Sequence, residues 1–265
     1  MLGQLLSGAQ TILGDHFVGL YLYGSLAGGD FDPKRSDIDF VVVTNEALPD
    51  GIISALEEMH MRLAVSGSKW AAKLEGTYIP RHALRRYDPN ADPCPCLNEG
   101  KFYLARHGSD WVIQRHILRE GGVVVAGPTL RDWIDPVTPN DIRRAVAGIL
   151  REWWSPMLGG SPGESPMRHE PAFLQTTEYQ AYAVLTMCRA IYTLNYGAVV
   201  SKPAAARWAQ ATLGERWAAL IDWALKWSHD EQSDKLAATL DFIRYTLENY
   251  PNFQFGFTSI SSESR

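Results

Sequence analysis

The chain has 265 residues, of which 46% are hydrophobic and 21% charged, and its formal net charge is -5. The sequence contains no run of about 18 apolar residues, so we expect no membrane span. Its first residues are not a basic segment followed by an apolar one, so we expect no secretory signal. Its 25 Lys and Arg residues are scattered, whereas a nucleic-acid-binding protein concentrates them on one surface. We therefore expect a cytoplasmic monomer that binds neither nucleic acid nor membranes.

Strand and helix patterns alternate in the first half of the chain. Apolar periodicity predicts helices over 2–13 and 52–64, strands over 17–23, 37–44, 73–79 and 123–126, and a loop over 80–98. A glycine-rich turn, residues 24–29, follows the first strand, and a loop leads from it to the next strand. This mixture predicts a sheet covered by helices.

The pattern becomes helical after Asp135. Thr138 is a predicted helix cap, with Pro139 at the first helical position and Asp141 three residues after the cap. Further helices are predicted over 173–196, 201–211, 215–227 and 232–250, with a Gly/Ser/Pro loop over 159–166 and a frayed end from 251. The predicted fold class is therefore α+β, with a mixed-sheet domain over 1–135 and an all-helical bundle over 136–265.

Two aspartates stand one residue apart at the start of a predicted strand. Because side chains alternate along a strand, Asp37 and Asp39 share one face while Ile38 points to the other. Paired carboxylates repel each other unless a cation lies between them, and oxygen ligands of this kind suit Mg²⁺. An alternative interpretation is that both are solvent-exposed residues at a strand start.

A third carboxylate, Glu75, lies on a later strand, where it shares a face with Lys73 and Thr77. There it could complete the set of metal ligands or take a proton from an attacking hydroxyl. The alternative is an exposed strand glutamate. The Gly24-Ser25 turn offers backbone N–H groups and a short hydroxyl to a phosphate.

These motifs, taken together, resemble a known family. Gly24-Ser25, eleven residues, Asp37-x-Asp39 and a later Glu75 resemble the nucleotidyltransferase signature of the polymerase-β-like superfamily. In the second half, the segments 185–189 (LTMCR) and 197–202 (GAVVSK) resemble the aminoglycoside adenylyltransferases that modify streptomycin and spectinomycin. Both halves match in order and cover most of the chain.

The resemblance implies an enzyme that moves AMP from ATP to a hydroxyl of a cationic antibiotic, giving resistance. It assigns Mg²⁺ to Asp37 and Asp39, and it makes Glu75 the catalytic base and a further metal ligand. The residues that it implies for ATP, its phosphates and the metal are Gly24, Ser25, Ser36, Arg189 and Lys202.

The acceptor side departs from the family pattern. The acidic stretch that holds the drug's amines in the family is Gln-Thr-Thr-Glu-Tyr here, over 175–179, so Glu178 is its acid. Trp111 is a further acceptor-site prediction, as a wall on which a sugar or base could stack. Two other functions stay open: a non-catalytic nucleotide sensor of the same fold, and a nucleotidyltransferase acting on another small molecule or on a macromolecule.

Overall fold

The computed structural model describes residues 1–159, 171–228, 230 and 232–250. Most of the predicted loop over 159–166 and the predicted frayed end from 251 lie outside the described residues. The strands are β1 Phe17–Leu22, β2 Ile38–Thr44, β3 Leu74–Pro80, β4 Cys94–Asn98, β5 Lys101–Ala105 and β6 Val123–Ala126. The helices of the first half are α1 Leu2–Leu13, α2 Gly24–Gly28, α3 Asp50–Ala64, α4 Arg81–Arg85 and α5 Asp110–Gly121. Those of the second half are α6 Pro139–Ile149, α7 Thr177–Tyr196, α8 Lys202–Thr212, α9 Glu215–Lys226 and α10 Leu236–Asn249.

The six strands form one mixed sheet in the order β5-β4-β3-β2-β1-β6. Strands β2 and β3 are parallel, because α3 returns the chain to the start of the sheet between them. The other neighbouring pairs are antiparallel. The α+β fold class is thus confirmed, and Asp39 and Glu75 lie on the two parallel strands.

Alternation along β2 separates two cores. Ile38, Phe40 and Val42 pack on the face covered by α1 and α3. Val41 and Val43 pack on the opposite face, against α4 and α5. Asp39 shares that second face by the period of two, and Asp37 lies just before the strand begins.

The second half is helical throughout its described residues. Helix α7 is the central element: ten of its side chains are buried, and α6, α8, α9 and α10 surround it. Thr138 and Asp141 form the predicted capping box at the start of α6. Among the described helices, none is both long enough and apolar enough to cross a membrane.

One predicted loop is partly wrong. Residues 80–98 contain α4 and the strand β4, and the following β5 and α5 were not predicted. Pro95 and the small apolar content of β4 argued against a strand inside a sheet. The structure accepts this proline because β4 pairs with β3 only at Cys96 and Leu97, so the missing N–H of Pro95 lies outside that pairing.

A buried histidine on α3 makes the stability of the first half dependent on pH. His60 is 3% exposed, and one ring nitrogen lies 2.8 Å from the Tyr78 hydroxyl. Burial lowers the pKa of His60 to about 4, below the value of about 6.5 in an unfolded chain. The unfolded state therefore takes up a proton first, so this stabilisation is present above pH 6.5 and is lost as the pH falls towards 4.

We expect His60→Gln to remove this pH dependence while it keeps a hydrogen-bonding side chain. The difference in free energy of unfolding between wild type and variant should shrink by about 2 kcal/mol from pH 7 to pH 5. Urea unfolding at the two pH values measures it. The exposed His82, changed to Gln, is the control and should follow the wild type; parallel curves for His60→Gln would contradict the prediction.

Candidate active site

The candidate site begins where β2 and β3 run side by side. Asp39 and Glu75 are direct partners in the parallel register, so their carboxylates lie next to each other on one face of the sheet. Gly24 lies beside them with φ of +67°, and a side chain at that position would collide with the Asp39 carboxylate. The glycine turn and the carboxylate pair therefore form one compact unit.

The helical half supplies two cations to this unit. Arg189, on α7, and Lys202, the first residue of α8, both act on Asp39 electrostatically. The Lys202 ammonium also lies 4.3 Å from the ring centre of Tyr182. Ser201 caps α8, since its hydroxyl accepts a hydrogen bond from the Ala204 backbone N–H at 3.3 Å. The fold thus brings residues about 150 positions apart in the chain to one cleft.

Burial, followed by the charges of neighbouring groups, raises the pKa of the acids in this cleft. Burial, and then the charge of Asp37, raise the pKa of Asp39 to about 7. Burial, and then Asp39, raise the pKa of Glu75 to about 8. The pKa of Asp37 is raised as well, chiefly by partial desolvation, although Asp37 precedes β2 and is exposed to solvent. Burial and the neighbouring Arg189 lower the pKa of Lys202 to about 8. Perturbed groups of both signs in a cleft are typical of an active site.

The same residues fit a divalent cation. Their donors are carboxylate oxygens, the ligands that Mg²⁺ prefers, and the charge of Asp37 is the second cause, after burial, of the raised pKa of Asp39. Among the described residues, however, no group of three or more His, Cys, Asp or Glu side chains is placed to hold a metal ion. Asp37, Asp39 and Glu75 therefore do not form a preformed three-carboxylate site. Mg²⁺ at this position would take its remaining ligands from water and phosphate, as it commonly does.

Hydrogen bonds connect the loop before Asp37 to the sheet half and to the helical half. The Lys73 ammonium donates to the carbonyl oxygens of Lys34 and Ser36 at 3.1 and 3.2 Å. Arg35 donates to the Trp227 carbonyl oxygen at 2.7 Å, just after α9, and so ties this loop to the helical half. The Ser36 hydroxyl accepts a hydrogen bond from the Asp32 backbone N–H at 3.0 Å and so stabilises the conformation of this loop.

The remaining predicted residues have different surroundings. Ser25 lies in the short helix α2, directly after Gly24. Glu178, exposed in the first turn of α7, is close enough for its charge to act on Asp37. Trp111 is buried near the start of α5, and one face of its ring is stacked on His107 with the ring centres 3.7 Å apart. Because His107 covers this face and Trp111 is buried, the ring does not form the open stacking wall that the sequence predicted.

Three residues of the cleft were missed by the sequence reasoning. Tyr182 lies under Lys202, Tyr23 is buried beside Asp39 and Glu75, and Asp110 lines a cavity next to Glu75. Burial raises the pKa of Asp110 to about 7. A signal was present for Asp110, since Ser109-Asp110 is a typical helix start. Aromatic residues carry no comparable signal.

Two family models match this chain. Residues 8–76 match a model described as "Nucleotidyltransferase domain". Residues 133–249 match a model described as "Aminoglycoside adenylyltransferase, C-terminal domain". The first match contains the glycine turn and all three carboxylates, and the second contains Arg189 and Lys202.

Curated relatives and a solved structure agree with these matches. Spectinomycin 9-adenylyltransferase of Staphylococcus aureus (strain N315) is 26% identical over 242 residues, covering 88% of this chain and 85% of the relative. The enzyme of that name from Campylobacter jejuni is 24% identical over 230 residues, covering 82% and 80%. A crystal structure of spectinomycin adenyltransferase AAD(9) from Enterococcus faecialis, with ATP and spectinomycin, has the same fold: the TM-score is 0.71 at 17% identity, covering 93% of this chain and 98% of that one. The chain is thus a nucleotidyltransferase and belongs to the aminoglycoside adenylyltransferase family.

Proposed function

We propose that this protein transfers AMP from Mg-ATP to a hydroxyl group of a cationic aminoglycoside or aminocyclitol of the streptomycin or spectinomycin type, and so confers resistance. One observation carries the proposal: the partnered carboxylates Asp39 and Glu75 face Arg189 and Lys202 across a single cleft. The names of the curated relatives support the acceptor class. We place the division between the two halves at residue 135, after the last core residue of the sheet half, Ile134.

The proposed chemistry is a displacement at the α-phosphorus. The acceptor oxygen forms a bond to that phosphorus while the bond to the oxygen bridging the α- and β-phosphorus breaks, and pyrophosphate leaves. Glu75 takes the proton of the hydroxyl, and its raised pKa suits a base that works near neutral pH. Arg189 and Lys202 hold the triphosphate with the Gly24-Ser25 turn. Mg²⁺, when bound by Asp37 and Asp39, neutralises charge on the phosphate oxygens.

The acceptor side of the proposal rests on negative charge near the carboxylate pair. Glu178 lies on the Asp37 side of the cleft and is proposed to attract the acceptor's amines. Trp111 contributes through the edge of the cavity that it lines, beside Glu75, and not through an open ring face.

The test is an incubation of the protein with Mg-ATP and a panel of aminoglycosides and aminocyclitols, with the products read by mass spectrometry. An acceptor that gains one AMP, with one pyrophosphate released, supports the proposal. ATP binding with no pyrophosphate release under any condition would favour the nucleotide sensor instead. Products on a nucleic acid or protein, and none on the panel, would favour a macromolecular acceptor.

Lys202 gives this proposal a second, independent test. Lys202→Ala is expected to weaken ATP binding about tenfold or more, because it removes a charge-assisted contact to the triphosphate in a buried cleft. Acceptor binding should weaken with it, since the charge of ATP, about -4, reverses the positive field of Arg189 and Lys202 before a cation arrives. Calorimetric titration of ATP, and of acceptor with and without ATP, measures both effects.

The control is Lys226→Ala, which removes an exposed lysine paired with Asp222 on α9 at 2.8 Å. It should leave both affinities unchanged. An acceptor that binds the ATP-free protein as tightly as the Mg-ATP complex would contradict the expected order of binding.

A further inference from the structure

The two aspartates proposed to hold Mg²⁺ are positioned by different parts of the structure. Pairing between β2 and β3 begins at Ile38 and includes Asp39, so the sheet fixes the backbone of Asp39. Asp37 comes one residue before β2, at the end of a loop. Its carboxylate therefore has the position that the contacts of this loop give it.

Arg35, two residues before Asp37, connects this loop to the helical half. Its guanidinium donates to the carbonyl oxygen of Trp227 at 2.7 Å and to that of Leu225 at 3.4 Å. The third donor group of the side chain, Nε, donates to an Asp32 carboxylate oxygen at 3.1 Å, at the start of the same loop. All three nitrogens of the planar group are thus engaged, which gives the side chain one defined direction across the two halves.

The carbonyl oxygens that receive Arg35 belong to the end of α9. Leu225 is in the last turn of that helix, where carbonyl groups have no partner within the helix and the helix dipole favours a cation. Trp227 is 6% exposed and is part of the helical core, to which α7 and α8 also contribute. Arg35 therefore binds a well-packed part of the half that carries Arg189 and Lys202.

Lys73 holds the same loop from the sheet half. Its ammonium donates to the carbonyl oxygens of Lys34 and Ser36, the residues on either side of Arg35. The loop is thus bonded to both halves within three residues. Without Arg35, it would keep these bonds to the sheet half and lose the two bonds to α9.

We propose that Arg35 is a positioning residue that couples the docking of the helical half to the position of Asp37, and through Asp37 to the binding of Mg²⁺. The inference rests on the proposed metal role of Asp37 and Asp39 and deepens it. While Arg35 is bonded to α9, Asp37 is held at a fixed separation from Arg189 and Lys202, the cations proposed to bind the triphosphate. The charge of Lys202 already acts on Asp37, so the two groups lie within electrostatic range. Arg35 itself contacts neither metal nor phosphate in this role.

The test measures, by calorimetry, the affinity for α,β-methylene-ATP with and without saturating Mg²⁺, in the absence of acceptor. Arg35→Gln removes the charge and the reach to α9. We expect the gain in affinity that Mg²⁺ provides to fall about tenfold, as for the loss of one hydrogen bond from a charged group. The affinity without Mg²⁺ should change by less than about twofold, because Arg189 and Lys202 are unaltered and act independently.

Two further variants separate this role from a general loss of stability. Arg35→Lys keeps the charge beside α9 but lacks the planar fork, so its loss should be intermediate, and it serves as the test if Arg35→Gln proves unfolded in a thermal melt. Arg143 makes the same kind of bond inside the helical half, to the carbonyl oxygens of Leu194 and Asn195 in the last turn of α7, at 3.0 and 3.2 Å. Arg143→Gln should lower the melting temperature comparably and leave the effect of Mg²⁺ as in wild type.

The outcomes distinguish this inference from the proposed function. Equal losses of affinity with and without Mg²⁺ in Arg35→Gln would show that Arg35 binds the nucleotide directly, and would overturn the inference. An unchanged effect of Mg²⁺ in Arg35→Gln, or an equal loss in Arg143→Gln, would overturn it as well. The expected losses in a protein whose wild type transfers AMP to no acceptor would support the inference and contradict the proposed function.

Discussion

Asp39→Asn should reduce AMP transfer by about a thousandfold or more. The variant keeps the size of the side chain but removes one of the two carboxylates proposed to hold Mg²⁺ against the phosphates, where a metal contributes several kcal/mol to the transition state. Asp37→Asn should have a similar effect. Pyrophosphate release under saturating Mg-ATP and acceptor measures it. Turnover near the wild-type rate in either variant would show that these residues are not the metal site.

The same substitution is expected to leave the metal-free protein at least as stable as wild type at pH 8. The pKa of Asp39 is raised to about 7 in the folded chain, against about 4 when unfolded. The folded state therefore holds its proton more tightly, and stability falls as the pH rises from 4 through 7. Removing the acid relieves at most about 4 kcal/mol, and less in practice, because Asp39 remains partly accessible to solvent.

Urea unfolding of wild type and Asp39→Asn at pH 8 and pH 5, without Mg²⁺, checks this expectation. The advantage of the variant should appear at pH 8 and vanish at pH 5, where the wild-type carboxyl is protonated. Mg-ATP should raise the melting temperature of the wild type and not that of the variant. A variant that is inactive but also strongly destabilised at both pH values would assign Asp39 a structural role instead.

Glu75→Gln is the second large effect, with kcat expected to fall about 10²- to 10⁴-fold, the usual contribution of a positioned base. ATP binding should survive, because Arg189, Lys202 and both aspartates are unchanged. Glu75 must be ionised to accept a proton, and its pKa in the free protein is about 8. The wild-type kcat/KM should therefore rise with pH towards about 8, while that of Glu75→Gln should lack this rise.

Single-turnover rates and calorimetric ATP titrations separate the two roles of Glu75. A loss of ATP affinity with little change in kcat would assign Glu75 to nucleotide or metal binding. Glu99→Gln serves as the control, since Glu99 is an exposed glutamate at the nearby β4–β5 turn whose charge also reaches Asp37. It should retain nearly full activity.

Features that depend on residues close together in the chain were predictable from the sequence. The period of two along a strand predicted one face for Asp37 and Asp39 and a common face for Glu75 and Thr77. In the structure Asp39 and Glu75 lie on paired strands, with Ile38 in the core on the opposite face, whereas Asp37 precedes β2. The capping box at Thr138 and the helical second half followed from equally local rules. Each of these features depends on residues within a few positions of one another, so a single sequence contains them.

Elements that depend on tertiary contacts were not predicted from the sequence. Helix α5 buries Trp111, Arg115 and Leu118 on one face, and the arginine breaks the apolar pattern that would have revealed it. Arg115 can be buried because its guanidinium donates hydrogen bonds to the carbonyl oxygens of Ala83 and Leu84, which are distant in sequence. Strand β4 was not predicted for a related reason: its proline is compatible with a strand only because β4 pairs with β3 beyond Pro95, at Cys96 and Leu97.

The sequence by itself therefore predicted β1, β2, β3, β6 and the helical second half, and, through resemblance, Arg189 and Lys202 as candidate site residues. Only the tertiary structure decided that Asp39 is the register partner of Glu75, that α7 and α8 bring two cations to that pair, and that Asp110 lines a cavity beside it. The physical reason is distance along the chain. Strand pairing joins Asp39 to Glu75, 36 residues later, and helix docking brings Lys202 to Asp39 from 163 residues away. The stability of these contacts comes from packing that no local sequence pattern contains.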